Sequence, residues 1–450
     1  MSTALHRTDG PASGTTSIAA RSVGMALHGI QALMVAPCWL LLAALTAMLL
    51  RHPDVDFYEI DRVAFGLLVL SAAVRYLFSR YHPPLIERAT CPMLGLALLA
   101  IMSVAGEPYD NQTWSLLAAK FIVPFALFHI AALVFRSEAR LRYFEIFSLI
   151  VLAYLCFTSI AFLVGAKQLI FPRYILDESL GYHADRARGP LLQAVANGVS
   201  LNLLGILALH AFLRKRVRGL PAILLLASLP VAILATMTRA VWLSFAASMG
   251  YLILRSQNRR LRVIAAAVAI IGLLGLLITL SIDGQRRAFS DRLTESGPVD
   301  FRKAVYTGGW QMFLEKPIFG WGVNQMPAEL ATHVSGYKEK ELFPHNTYLE
   351  ILVEHGAFGL ALHLWLMWEL FRLGRNRVPA AERSSFLNQH FHAIWPVLLG
   401  VYWANAMVVV MNYQFVNGIV FTMAGMLAAQ RHQSERDANA NLPMLHHSPA

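Results

Sequence analysis

The chain has 450 residues, 56% of them hydrophobic and only 14% charged, with a mean hydropathy of +0.51. A soluble protein keeps roughly a quarter of its residues charged, so a water-exposed globule is excluded and an all-α, polytopic membrane protein is expected. The formal charge of +11 does not indicate nucleic-acid binding, because the basic residues sit in short loops between apolar runs, the arrangement that orients membrane proteins.

A cytoplasmic tail over residues 1–24 is expected first, polar and rich in Ser, Thr and Gly. The apolar run that follows is too long for a signal-peptide core and has no convincing cleavage site, so it is read as an uncleaved first span. A spanning helix needs about 20 mainly apolar residues. Runs of that kind centre on 31–50, 63–79, 89–105, 114–135, 144–165, 190–212, 220–237, 239–254 and 261–281, and then on 346–371, 391–411 and 414–429. The expected organisation is thus nine helices within 25–281, an outer loop over 282–345, three helices within 346–429 and a tail over 430–450. Cys38, Cys91 and Cys156 all fall inside apolar segments without CxxC spacing, and are read as small core residues.

Loop charge predicts sidedness. Alternate loops carry Arg80 and Arg88, then Arg136, Arg140 and Arg142, then Arg214, Lys215, Arg216 and Arg218, then Arg255, Arg259, Arg260 and Arg262, then Arg372, Arg375, Arg377 and Arg383. The first two intervening loops are acidic, with Asp54, Asp56, Glu59 and Asp61 in one and Glu107 and Asp110 in the other. The positive-inside rule makes the Arg-rich set cytoplasmic. Both termini are then cytoplasmic, and the long insert lies outside.

That insert, about 64 residues over 282–345, is polar between apolar neighbours, and helical pieces are expected near 299–315 and 324–333. Connections this long usually carry a function. Several outer helix mouths hold Arg against the charge trend: Arg188, Arg239 and Arg302 above all, with Arg286, Arg287 and Arg292 weaker candidates. A guanidinium fork matches phosphate oxygens bidentately, so an anion clamp is one reading. Snorkelling, or pairing with Asp185, Asp283, Asp291 or Asp300, is the other.

His345, at the mouth of the run beginning near 346, titrates near neutrality and could accept a hydroxyl proton. The alternative is an interfacial His beside a Thr347-x-x-Glu350 capping box. Glu354 lies deeper in the same run, where a carboxylate is costly enough to suggest function or structural pairing. Lys120 and Arg75 are read as snorkelling. No P-loop, GxGxxG or metalloprotease signature is present.

Three segments then stand together: Lys316-Pro317-Ile318-Phe319-Gly320-Trp321-Gly322, Pro344-His345-Asn346-Thr347-Tyr348-Leu349 and Glu354-His355-Gly356-Ala357-Phe358-Gly359-Leu360. They resemble the O-antigen ligase family, whose members share P-x-x-G-x-G, HN-x-[YH]-L and E-x-G-x-x-G-L at similar spacing. Thr238-Arg239-Ala240 resembles the family's earlier S/T-R segment, and Arg302 falls where the family has an Arg in its large outer loop. Arg188 to Ala194 lacks the Pro-Asn that the family often shows there.

The resemblance implies an all-helical, GT-C-like glycosyltransferase of the inner membrane, with its active site in the periplasm. It would move O-antigen polysaccharide from undecaprenyl pyrophosphate to lipid A–core oligosaccharide in lipopolysaccharide biosynthesis, with inversion and without a metal or other cofactor. On that implication His345, Arg302 and Arg239 are catalytic, while Arg188, Asn346, Tyr348, Glu354 and Trp321 contact substrate. Partners would be the two lipid-linked substrates and membrane lipids. A polymerase or O-oligosaccharyltransferase with the same donor is the near alternative. A twelve-helix secondary transporter is the distant one, although no internal repeat of the kind such proteins carry is present.

Overall fold

The computed structural model describes residues 36–52, 60–78, 86–181, 183–281, 287, 290, 297–336, 340–375 and 385–440. The expected N-terminal tail, Asp54, Asp56, Glu59, Arg80, Asp283, Arg286, Asp291, Arg292, Arg377 and Arg383 lie outside those residues. Among the described residues every regular element is a helix.

Each apolar run in the sequence coincides with a helix. In chain order these are α1 Pro37–Leu49, α2 Ile60–Phe78, α3 Thr90–Val104, α4 Asn111–Val134, α5 Glu138–Leu163, α6 Ala194–Leu213, α7 Gly219–Ala235, α8 Arg239–Arg255 and α9 Arg259–Ser281. The insert contributes α10 Gly297–Glu315 and α11 Met326–His333, where helical pieces are expected. The chain closes with α12 Thr347–Leu373, α13 Gln389–Ala406 and α14 Gln414–Ala440. By length and composition, α4, α5, α6, α9 and α12 can each cross a membrane; α1, α3 and α7 are shorter apolar helices.

Helix starts follow side-chain chemistry. Asp110 caps α4, its carboxylate accepting from the Thr113 N–H at 2.8 Å, and Asn388 caps α13 by accepting from the His390 N–H at 2.9 Å. The span expected to begin at 190 starts instead at Ala194, because residues 187–192 form a strap. In it the Ala187 N–H donates to the Ala235 carbonyl at 3.1 Å, beside the end of α7. The bundle core gathers buried side chains of α1, α3, α4, α5, α6, α13 and α14, with α14 packed along α4 and α12 along α3. The α9 helix lies on the outside and is mostly exposed.

Contacts between loops sort the connections into two ends. At one end Arg214 bridges Glu138 and Glu145 at 2.6 and 2.8 Å, the Phe386 N–H donates to Glu138 at 3.2 Å, and Asn258 meets His390 at 3.2 Å. At the other, Val323 meets Ser103, Asn324 meets Thr113, and Thr347 meets the 409–411 backbone. The Arg-rich loops before α5, after α6, after α8 and before α13 thus share one end, and the insert sits at the opposite end.

Candidate active site

The α12 helix opens on Asn346, whose side-chain oxygen accepts from the Tyr348 and Leu349 N–H groups at 2.9 and 3.1 Å. This replaces the expected Thr347–Glu350 capping box. Asn346 is the cap, and the Thr347 hydroxyl instead donates to the Val409 carbonyl and accepts from the Met411 N–H, both at 2.9 Å. His345, immediately outside the helix, holds φ at +46°. A non-glycine residue in that left-handed region pays a conformational cost that surrounding structure must hold. Its ring is half-buried beside Phe301, with centroids 6.1 Å apart. Burial, and then the positive charge of Arg302, push the imidazole below its ordinary value and favour the neutral ring.

The helix α10 brings Arg302 to that ring. Tyr306, one turn later on the same face, accepts from the Asn346 amide at 3.4 Å and donates its hydroxyl to the Met407 carbonyl at 3.2 Å. That bridge fixes α10 at the mouth of α12, with Arg302 near enough for its charge to act on His345.

Arg239 opens α8, preceded by Met237 at φ +47°. Ser244, five residues into α8 and about 7 Å along its axis, accepts from the Asn405 side chain at 2.9 Å. Asn405 leads directly into the 407–411 backbone that holds Tyr306 and Thr347. The mouths of α8 and α12 therefore flank one loop at one end of the bundle. Among the described residues neither Arg239 nor Arg302 makes a hydrogen bond or ion pair.

The other candidates are committed elsewhere. Arg188 is buried, and its guanidinium donates to the carbonyls of Ile175, Asp177 and Leu180. It organises the 175–180 loop and is withdrawn from the expected anion clamp. The Tyr348 hydroxyl donates to the Trp403 carbonyl at 3.1 Å. Trp321 donates its indole N–H to the Met312 carbonyl at 2.8 Å and carries the Lys316 ammonium over its ring at 3.8 Å. Both are packing residues of the site's frame.

Glu354 is buried. One oxygen accepts from the Asn324 N–H at 2.9 Å and the other meets the Lys120 ammonium at 3.1 Å. Lys120 also pairs with Glu350 at 2.9 Å. The expected snorkelling of Lys120 is replaced by a buried triad, and Lys120 sits on a π-helical turn, Ala118–Ile122, inside α4. Such turns are rare and often mark functional sites. Lys120 reads in the sequence only as a snorkelling residue, and Tyr306 does not stand out there. A lone Lys in one apolar run, matched by two carboxylates four apart in another, signals the first. The four-residue spacing from Arg302 signals the second.

The glycine-bearing motifs meet each other. Gly356 adopts φ +66°, ψ −169° and interrupts α12. Into that break fits Pro317–Gly322: the Trp321 and Gly322 N–H groups donate to the Val353 and Glu354 carbonyls, each at 2.9 Å. In return the Ala357 and Phe358 N–H groups donate to the Pro317 and Ile318 carbonyls at 2.8 and 3.2 Å. A Cβ on Gly356 would lie 2.2 Å from the Ile318 carbonyl oxygen, and one on Gly320 would lie 2.5 Å from the Val353 carbonyl oxygen. Only glycine permits the backbones to approach so closely. Backbone groups freed by the break thereby find partners.

Residues 221–364 match the family model described as O-antigen ligase. Over this stretch, about a third of its length, the chain is similar to that family. Arg239, Arg302, Trp321, His345, Asn346, Tyr348 and Glu354 all lie within it, and Arg188 lies before it. That similarity supports a ligase- or polymerase-type function in O-antigen processing. A comparison with curated proteins found no match. Among the described residues no three His, Cys, Asp or Glu side chains group closely enough to hold a metal ion.

Proposed function

We propose that this protein is an inverting, metal-independent glycosyltransferase that ligates O-antigen polysaccharide, carried on undecaprenyl pyrophosphate, to lipid A–core oligosaccharide. The observation that carries the reading is Arg302 beside a strained, half-buried His345 at one helix mouth, with Arg239 at the neighbouring one, neither arginine having an ion pair among the described residues. In this reading all twelve helices other than α10 and α11 span the inner membrane, both termini are cytoplasmic, and the His345 end faces the periplasm, as loop charge predicts. No nucleotide sugar is available on that side, so the donor arrives already activated on its lipid.

The chemistry follows from the two residue types. The neutral His345 imidazole takes the proton of an acceptor hydroxyl as its oxygen attacks the anomeric carbon of the donor sugar. The bond from that carbon to the pyrophosphate oxygen breaks on the opposite face, so configuration inverts. Negative charge builds on the departing pyrophosphate, where Arg302 and Arg239 can each offer a planar fork. Asn346 and Tyr306 hold the base in place, and Arg188 secures the neighbouring strap.

The family match is equally compatible with a polymerase, which would use the same donor and pass the chain to another lipid-linked glycan. A deletion strain separates the two. Loss of this protein is expected to leave long glycan on the carrier lipid and bare lipid A–core. Core bearing a single repeat would instead identify a polymerase and overturn the ligase reading. A secondary transporter would require a gradient, and transfer in gradient-free liposomes excludes it.

A further inference from the structure

At the end of the bundle opposite His345, a half-open cavity of about 790 Å³ lies between the α6–α7 turn and the start of α9. Four cations line it: Lys215, Arg218, Arg259 and Arg260. Its floor is apolar, made by Phe212 and Leu213 at the end of α6 and by Val263 and Ile264 one turn into α9. That floor runs on into side chains that face outward from the bundle, with Leu220 66% and Ile223 61% exposed.

The local carboxylates are already used. Glu138 and Glu145 are taken by Arg214 at 2.6 and 2.8 Å, and Arg216 joins Glu138 at 3.3 Å. Lys215, between those two arginines, holds φ at +58°. It makes no ion pair among the described residues, and the same is true of Arg218, Arg259 and Arg260. Arg218 Nε donates to the Lys215 carbonyl at 2.8 Å, which steadies the guanidinium while leaving its outer nitrogens for a ligand. The α7 helix, starting at Gly219, and α9, starting at Arg259, both begin at this cavity, and their N-termini add positive potential.

Loose cytoplasmic cations are common in membrane proteins, but here four of them surround a cavity whose floor is apolar. We propose that this cavity is a binding site for an anionic glycerophospholipid. Its phosphates sit among Lys215, Arg218, Arg259 and Arg260, and its acyl chains lie along Phe212, Leu213, Val263 and Ile264. Four cations suit a lipid with two phosphates better than one with a single phosphate, which makes cardiolipin the best probe. Basic pockets between helices near a membrane surface take such head groups. The proposal is independent of glycan transfer, so the two stand or fall separately.

The test is native mass spectrometry of the full-length protein released from micelles doped with cardiolipin, phosphatidylglycerol or phosphatidylcholine. Wild type should retain cardiolipin at least tenfold over phosphatidylcholine. Combining Lys215→Ala, Arg218→Ala, Arg259→Ala and Arg260→Ala should abolish that preference. Neutralising four exposed cations that do not line the cavity (Arg142, Arg255, Arg262 and Arg375) should leave it unchanged. Should the fourfold variant not fold, Arg259→Gln and Arg260→Gln singly should each weaken retention about fivefold, as expected for one basic residue at a lipid surface. Equal loss in the control variant would show general surface charge and overturn the site. So would retention by the cavity variants, or complete displacement of cardiolipin by inorganic phosphate.

Discussion

Replacing Lys120 with Met should destabilise the protein more than any single surface change. The ammonium lies 2.9 Å from Glu350 and 3.1 Å from Glu354, with side-chain exposures of 9%, 12% and 2% for the three groups. Solvent screening is therefore slight, unlike at exposed pairs. Removing the one cation strands two buried carboxylates, and breaking a buried ion pair from one side costs about 3–5 kcal/mol. Against a total stability of about 5–15 kcal/mol, that is a large share. Glu354 would keep its hydrogen bond from Asn324, so the loss should fall toward the middle of that range. Equilibrium unfolding of purified protein in mixed micelles measures it. Adding Glu350→Gln and Glu354→Gln to Lys120→Met should recover most of the stability, because the stranded charges are then gone. If Lys120→Met unfolds within about 1 kcal/mol of wild type, or if the triple variant is no better than the single one, the buried triad does not brace this helix and the reasoning fails.

Gly356→Ala should destabilise the protein by more than about 1 kcal/mol, although Gly→Ala within an ordinary helix stabilises it; unfolding titration reads the sign directly. Arg302→Lys and Arg239→Lys should each lose most transfer activity, since a point charge replaces a planar fork, and activity equal to wild type in either would remove that residue from the clamp. The His345 imidazole is held below its ordinary value by burial and by Arg302, so the acidic limb of the rate–pH profile should lie below that of a free imidazole. Arg302→Met removes one of the two causes and should move that limb upward in whatever activity remains. An unmoved limb would mean that His345 is not the group titrating.

Much of this arrangement is legible from composition and spacing. The apolar runs mark the helices because bilayer-facing segments must close their own backbone hydrogen bonds, and the insert stands out by its polarity. Arg302 lies near enough to His345 for its charge to act on the imidazole. What local sequence could not convey was which polar groups would be satisfied at long range. Arg188 is claimed by three carbonyls eight to thirteen residues earlier, a matter of loop path. Lys120 and its two carboxylates lie more than two hundred residues apart. The capping assignment slipped by one residue because Asn346 and Thr347 are both competent caps, and the choice was made by the 409–411 backbone, which recruits the Thr347 hydroxyl. The meeting of Gly320 with Gly356 was present in the sequence only as two separate glycine motifs.

Purified protein in gradient-free proteoliposomes, supplied with polysaccharide on undecaprenyl pyrophosphate and with lipid A–core, offers the most direct measurement. Wild type should transfer the glycan, and His345→Ala should reduce transfer to background while donor affinity and unfolding stability stay near wild type. Transfer by His345→Ala at a rate comparable to wild type would contradict the account.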